Sequence, residues 1–129
     1  VTGDIAAVAW PTSLTLVYLF NTGVSYSGTG QTLAPLLALK DFSVDGCSLS
    51  QAAVDAILYD LYSGCVNRTA TNRTINVGGN NAAPSGTHQA AASCPVTGSI
   101  PGKEVAHELV NNGCGVASFN TWATVTFTA

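Results

Sequence analysis

The spacing of apolar residues recurs along the chain, and this recurrence restricts the fold more than any single motif does. Leu39, Phe42, Val44, Cys47 and Leu49 stand at offsets 0, 3, 5, 8 and 10. Leu14, Val17, Leu19, Thr22 and Val24 stand at the same offsets 25 residues earlier, with Thr at the polar position. Ile75, Val77, Asn80 and Ala82 continue the pattern behind Asn72, and Trp122, Val125 and Phe127 begin it once more. Such a period marks units that bury their apolar sides against their neighbours. The residues at offsets 3 and 5 share one face of a short strand, because side chains alternate along it. The Asn or Cys at offset 8 turns inward to satisfy loop backbone groups. The competing reading is a set of ordinary alternating strands in an unrelated β protein. The recurrence predicts a parallel sheet with strands near residues 17–20, 42–45, 74–77 and 123–127.

The return paths carry helical signals. Ser50 is a suitable N-cap for a helix over about 51–63, in which Val54, Ile57, Leu58 and Leu61 form one apolar face. A second helix is predicted over about 103–111, with Val105, Leu109 and Val110 inward. Gly64 and Gly113 are expected to end the two helices in the left-handed conformation, each followed by a cysteine. The stretch 78–102 is too rich in Gly, Pro and Ser for regular structure, and a loop of that length is either functional or pinned. The fold class is therefore α/β: a short solenoid with about four parallel strands, two helices on the opposite side and a long Gly/Pro/Ser loop. The inward set is Leu14, Val17, Leu19, Val24, Leu39, Phe42, Val44, Leu49, Val54, Ile57, Leu58, Leu61, Ile75, Val77, Val105, Leu109 and Val125.

The 129 residues suit one domain, with strand-and-coil turns over 1–50 and helix-containing turns over 51–129. At 47% hydrophobic the chain can bury a core, and only 9% of its residues are charged. The net charge is −3 and no basic run occurs, so nucleic acid is a poor partner. Residues 5–39 carry no charge, but Pro11, Asn21 and several Gly and Thr interrupt them, which excludes a membrane-inserted helix. The chain has no Met and begins at Val1, and is read as a processed or excised piece.

The four cysteines fit an oxidising compartment without establishing it. Cys94 is expected to pair with Cys114, tying the long loop to the end of the second helix. Cys47 and Cys65 flank the first helix about 20 Å apart and should not pair with each other. Cys47 is then a buried thiol at the polar position, and the competing pairing is Cys65 with Cys114. Asn67 and Asn72 open N-glycosylation sequons, which matter only in a host that glycosylates secreted protein.

Signals for catalysis are few. Glu104, His107 and Glu108 share one helical face, but no HExxH spacing occurs, and a solvated polar face is the favoured reading. His88 has no acidic partner, no G-x-S-x-G elbow occurs, and Gly78-Gly79 opens no helix. No enzyme, cofactor or metal is expected.

The segment CSLSQAAVDAILYDL from Cys47, the following INVGGNNAAPSGT, the C-terminal KEVAHELVNNGCGVASFNTWATVTFTA and the upstream SLTLVYLFNTGVSYSGT carry a resemblance. They resemble a leucine-rich-repeat-like module of bacterial and phage surface or appendage proteins. The resemblance covers nearly the whole chain and is sharpest from Cys47 to Ala129. It implies an extracellular, cell-surface or virion location, and a structural role with no catalytic residues. Cys65 is a departure from the pattern.

The outward face is the stronger functional lead. Leu16, Tyr18 and Phe20 form an apolar stripe there, followed by Asp41, Ser43 and Asp45, then Thr74, Asn76 and Gly78, then Thr124, Thr126 and Thr128. Contiguous exposed apolar residues mark contacts, unless loops or a flanking segment cover them. Val1 to Ile5 read as the tail of a preceding turn, with Val1 at offset 10, and are expected to pack against another protein segment near the stripe. Two functions follow. One is a non-enzymatic module of a surface filament or virion appendage, held by self-association or by contacts with another surface protein. The other is recognition of a receptor or glycan through the outer face.

Overall fold

A computed structural model describes residues 2–28, 32–65, 74–87, 89–91 and 94–129. Val1, His88 and both sequon residues, Asn67 and Asn72, lie outside the described residues. The strands are β1 (Thr2–Asp4), β2 (Leu16–Tyr18), β3 (Gly23–Ser25), β4 (Asp41–Ser43), β5 (Thr74–Val77) and β6 (Thr124–Phe127). Strands β2, β4, β5 and β6 make a four-stranded sheet in that order, and β1 pairs with β3 in a second sheet. In the larger sheet each strand carries an apolar side chain on its inward face at the repeated offset, Val17, Phe42, Ile75 and Val125. All pairings are parallel.

The register follows the repeated spacing. Val17 lies beside Phe42, Phe42 beside Ile75 and Ile75 beside Val125. Beyond the strands the ladder continues through Leu19 N–H to Ser43 C=O (2.9 Å) and Val44 N–H to Asn76 C=O (3.0 Å). The chain then turns through left-handed residues stacked on one another: Asn21 (φ 54°), Gly46 (φ 71°) and Gly79 (φ 70°). A Cβ on Gly46 would lie 2.1 Å from Asn21 Oδ1, and one on Gly79 would lie 2.8 Å from Gly46 N, so these turns close only on glycine.

Helices α1 (Gln51–Ser63) and α2 (Gly102–Asn111) pack against each other. Ser50 caps α1 as expected, its hydroxyl accepting from Ala53 N–H. The ends differ from expectation. Gly64 is right-handed (φ −81°), and at α2 the left-handed residue is Asn112 (φ 46°) rather than Gly113. Asn112 can hold that conformation because its side-chain amide bonds both the N–H and C=O of Val116.

The core contains nearly all of the expected inward set. Leu14, Leu19 and Val125 are the exceptions, being only partly buried at the ends of the four-stranded sheet. Leu33 and Leu36, in the coil before β4, join the core together with Tyr26 and Trp122. The pairing of Gly3 with Val24 makes Gly3, not Val1, the counterpart of offset 10 in the first strand pair.

The long loop is pinned. Asp55 accepts from Ser85 N–H (3.0 Å) and Ser85 Oγ (2.6 Å), and Ser85 Oγ accepts from Gly102 N–H (3.1 Å). Gln51 Nε2 donates to Ala83 C=O (3.0 Å), and Cys94 is disulfide-bonded to Cys114.

Candidate interaction surface

The polar column beneath the turns supports the sheet, and it corrects one assignment. Asn81, not Asn80, is the inward residue of the third turn. Its Oδ1 accepts from Cys47 N–H (3.1 Å) and Leu49 N–H (2.9 Å), and its Nδ2 donates to Val44 C=O (2.9 Å) and Val77 C=O (3.1 Å). Asn80 instead stays exposed and bonds Ser48. The second turn passes through two left-handed residues, Gly46 and Ser48, whereas the third has Gly79 alone, and the inward position falls one residue later. Cys47 occupies its expected place as a buried thiol and donates to Leu19 C=O (3.0 Å). Cys65 is also a buried thiol, bonded to Leu61 C=O (3.4 Å).

Two sets of acidic residues are buried where a solvated face was expected. Glu104 and Glu108 lie inside, and Glu108 Oε1 accepts from Cys114 N–H (2.9 Å) while Oε2 lies 3.2 Å from His107 Nδ1. Glu108 thus fixes the chain at the disulfide. Asp41, expected outward, is 2% exposed and accepts from Thr74 Oγ1 (2.9 Å). Asp60 is fully buried and accepts from the Tyr26 hydroxyl, joining α1 to the chain after β3. Burial pushes the Asp60 carboxyl up, against the downward pull of that hydrogen bond. Burial, then the bond to Asp60, pushes the Tyr26 phenol upward as well. No sequence signal marked this pair, whose members stand 34 residues apart.

Leu16, Tyr18 and Phe20 are 46%, 55% and 52% exposed, and the Tyr18 and Phe20 rings lie 6.5 Å apart at 55°. Strand β2 is one edge of the four-stranded sheet, so this stripe runs along a margin and not across the middle. Ile5, placed with the stripe by sequence, is instead 4% exposed in the chain's own core, so it does not face a partner. Nearby, Asp4 accepts from Ala6 N–H and from Ser27 N–H and Oγ, tying β1 to the end of β3. Among the described residues no cavity opens and no three His, Cys, Asp or Glu side chains come together to hold a metal. No described helix is long and apolar enough to cross a membrane.

In comparisons with known proteins, no family model, no curated protein and no solved structure matches this chain.

Proposed function

We propose that this chain is a non-enzymatic, extracellular structural module: a short leucine-rich-repeat-like solenoid that serves in a surface filament or virion appendage through protein–protein contacts. The observation that carries the reading is the Leu16–Tyr18–Phe20 stripe, more than two-fifths exposed at each residue on a sheet margin. The in-register parallel strands and the stacked Asn21, Gly46 and Gly79 turns support the solenoid. The Cys94–Cys114 disulfide is compatible with an oxidising, extracellular setting.

Size-exclusion chromatography with light scattering, and pull-down of surface proteins from the source cell, test the reading on the chain and on its Tyr18→Ser/Phe20→Ser variant. The variant should keep its fold and lose association, because exposed side chains contribute little to stability. Unchanged association would reject the stripe as the contact. A second reading, recognition of a glycan, draws on the Tyr18–Phe20 ring pair beside the polar Ser43 and Asp45. A monomer that binds sugars on a glycan array and loses them in the same variant would favour it.

A further inference from the structure

We infer that the partner of this surface is a second copy of the chain, whose β6 edge adds in parallel to the β2 edge and extends the four-stranded sheet from molecule to molecule. The inference rests on the protein–protein reading above and names its partner. Three observations support it.

The first is the distribution of charge. Natural edge strands are guarded by charged residues, Lys above all. Residues 5–39, which include β2, and 109–129, which include β6, contain no Asp, Glu, Lys or Arg. Ten of the chain's eleven such residues fall between 40 and 108, and the other is Asp4. Neither edge of the four-stranded sheet, β2 nor β6, carries a charged guard.

The second is incomplete burial at both ends of the inner face. Phe42, Val44, Ile75 and Val77, on the central turns, are at most 1% exposed. Leu14 and Leu19 beside β2, and Val125 and Phe127 in β6, point the same way but are only partly buried. Val17 within β2 is itself buried, so at that end the incomplete cover is confined to Leu14 and Leu19, whereas at β6 it includes the strand's own inward pair.

The third is the fit between the ends. The existing register aligns Leu16, Asp41, Thr74 and Thr124 in one row and Tyr18, Ser43, Asn76 and Thr126 in the next. Continued by one strand, it sets the Thr124 and Thr126 of one molecule beside the Leu16 and Tyr18 of the next. Aromatic and β-branched residues are favourable cross-strand neighbours. On the inner face Val125 meets Val17. The two edges are different surfaces, so the contact is head-to-tail and leaves a β2 edge and a β6 edge open after every addition.

Complementation tests this directly. One variant carries Leu16→Lys and Tyr18→Lys, the other Thr124→Lys and Thr126→Lys; all four sites are exposed. A control carries Ala52→Lys and Gln89→Lys, which are exposed and belong to neither edge strand. By sedimentation velocity across a concentration series, the unaltered chain and the control should grow in mass with concentration. Each edge variant alone should stay a monomer, and an equimolar mixture should form a two-chain species and stop there. Growth of either edge variant alone, or a monomeric mixture while the unaltered chain assembles, overturns the proposal. An unaltered chain that stays monomeric also overturns it, but leaves the stripe as a contact for a different partner. Should a lysine variant fail to fold, cysteine cross-linking replaces it. Neighbouring parallel strands lie about 4.8 Å apart, within disulfide reach. Under mild oxidation Tyr18→Cys/Thr126→Cys should give a ladder of covalent oligomers, and neither single variant should. Absence of the ladder in an assembling double variant overturns the register.

Discussion

The middle of the four-stranded sheet and its two margins are built to one pattern yet finished differently. At β4 and β5 the inward side chains are sealed, the turns close on glycine, and Asn81 satisfies backbone groups of both turns. Val17 in β2 is buried, but Leu14 and Leu19 on either side of it and Val125 and Phe127 in β6 are only partly covered, and the outward side chains are apolar on one margin and threonine on the other. A central strand is covered by neighbours on both sides and an edge strand on one, so the edges show what a neighbouring strand supplies.

The largest expected effect contrasts two phenylalanines. Phe42→Ala should cost about 3–5 kcal/mol in denaturant unfolding, as a large-to-small change in a sealed core. Phe127→Ala, on the half-buried margin, should cost roughly 1–2 kcal/mol in the unassembled chain. Equal losses would erase the distinction between middle and margin.

Next comes the pair Asn80 and Asn81. Asn81→Ala strands four buried backbone groups and should cost about 3 kcal/mol; Asn80→Ala, at an exposed site, should cost less than about 1 kcal/mol. The opposite order would return the inward role to Asn80.

The disulfide acts nearer the β6 margin, since Cys114 begins the passage from α2 to that strand. Removing it with Cys94→Ser/Cys114→Ser should cost about 2–3 kcal/mol, judged by the loop it closes. Thermal unfolding with and without reductant checks this.

Smaller still is the pH effect of Asp60, whose partner Tyr26 belongs to the chain after β3. Its folded-state value is raised above the ordinary 3.8, so its contribution to stability is fully present below that value. The contribution is lost as pH rises through the folded value, because the fold then holds an ionised carboxylate in a buried site. Asp60→Asn should therefore flatten the fall in stability with rising pH in the acid range. Asp4, held below 3.8 by the Ser27 hydroxyl, acts in the opposite sense: its contribution is present above 3.8 and lost as pH falls through its lowered folded value. Urea unfolding at a series of pH values separates the two, and an unchanged profile in Asp60→Asn would remove Asp60 as the cause.

The legible parts of this fold were those set by side-chain period. The offsets placed all four strands of the larger sheet, the apolar face of α1 gave its span, and loop and helix-end positions pointed to Cys94–Cys114. What the sequence hid depended on backbone conformation or on distant partners. The two-stranded sheet has strands of three residues, with Gly3 and Gly23 among them, too short and featureless for a period to register. The shift from Asn80 to Asn81 follows from which turn residues are left-handed, and only the Gly78-Gly79 doublet hinted at it. Glu108 reads as a surface residue until Cys114 N–H is brought to it, and nothing local marks Asp60 as the partner of Tyr26, 34 residues away. Of the candidate surface, Leu16, Tyr18 and Phe20 were readable because alternation alone puts them outward. Ile5 was misassigned because its neighbours in the core come from later turns.

In the proposed assembly the two margins are halves of one joint. Amide hydrogen exchange, followed strand by strand as concentration rises from dilute monomer, tests it most directly. The account predicts that protection grows together in β2 and β6, while β4 and β5, already paired on both sides, change little. Protection that grows at one margin alone, or on the helices instead, would contradict it.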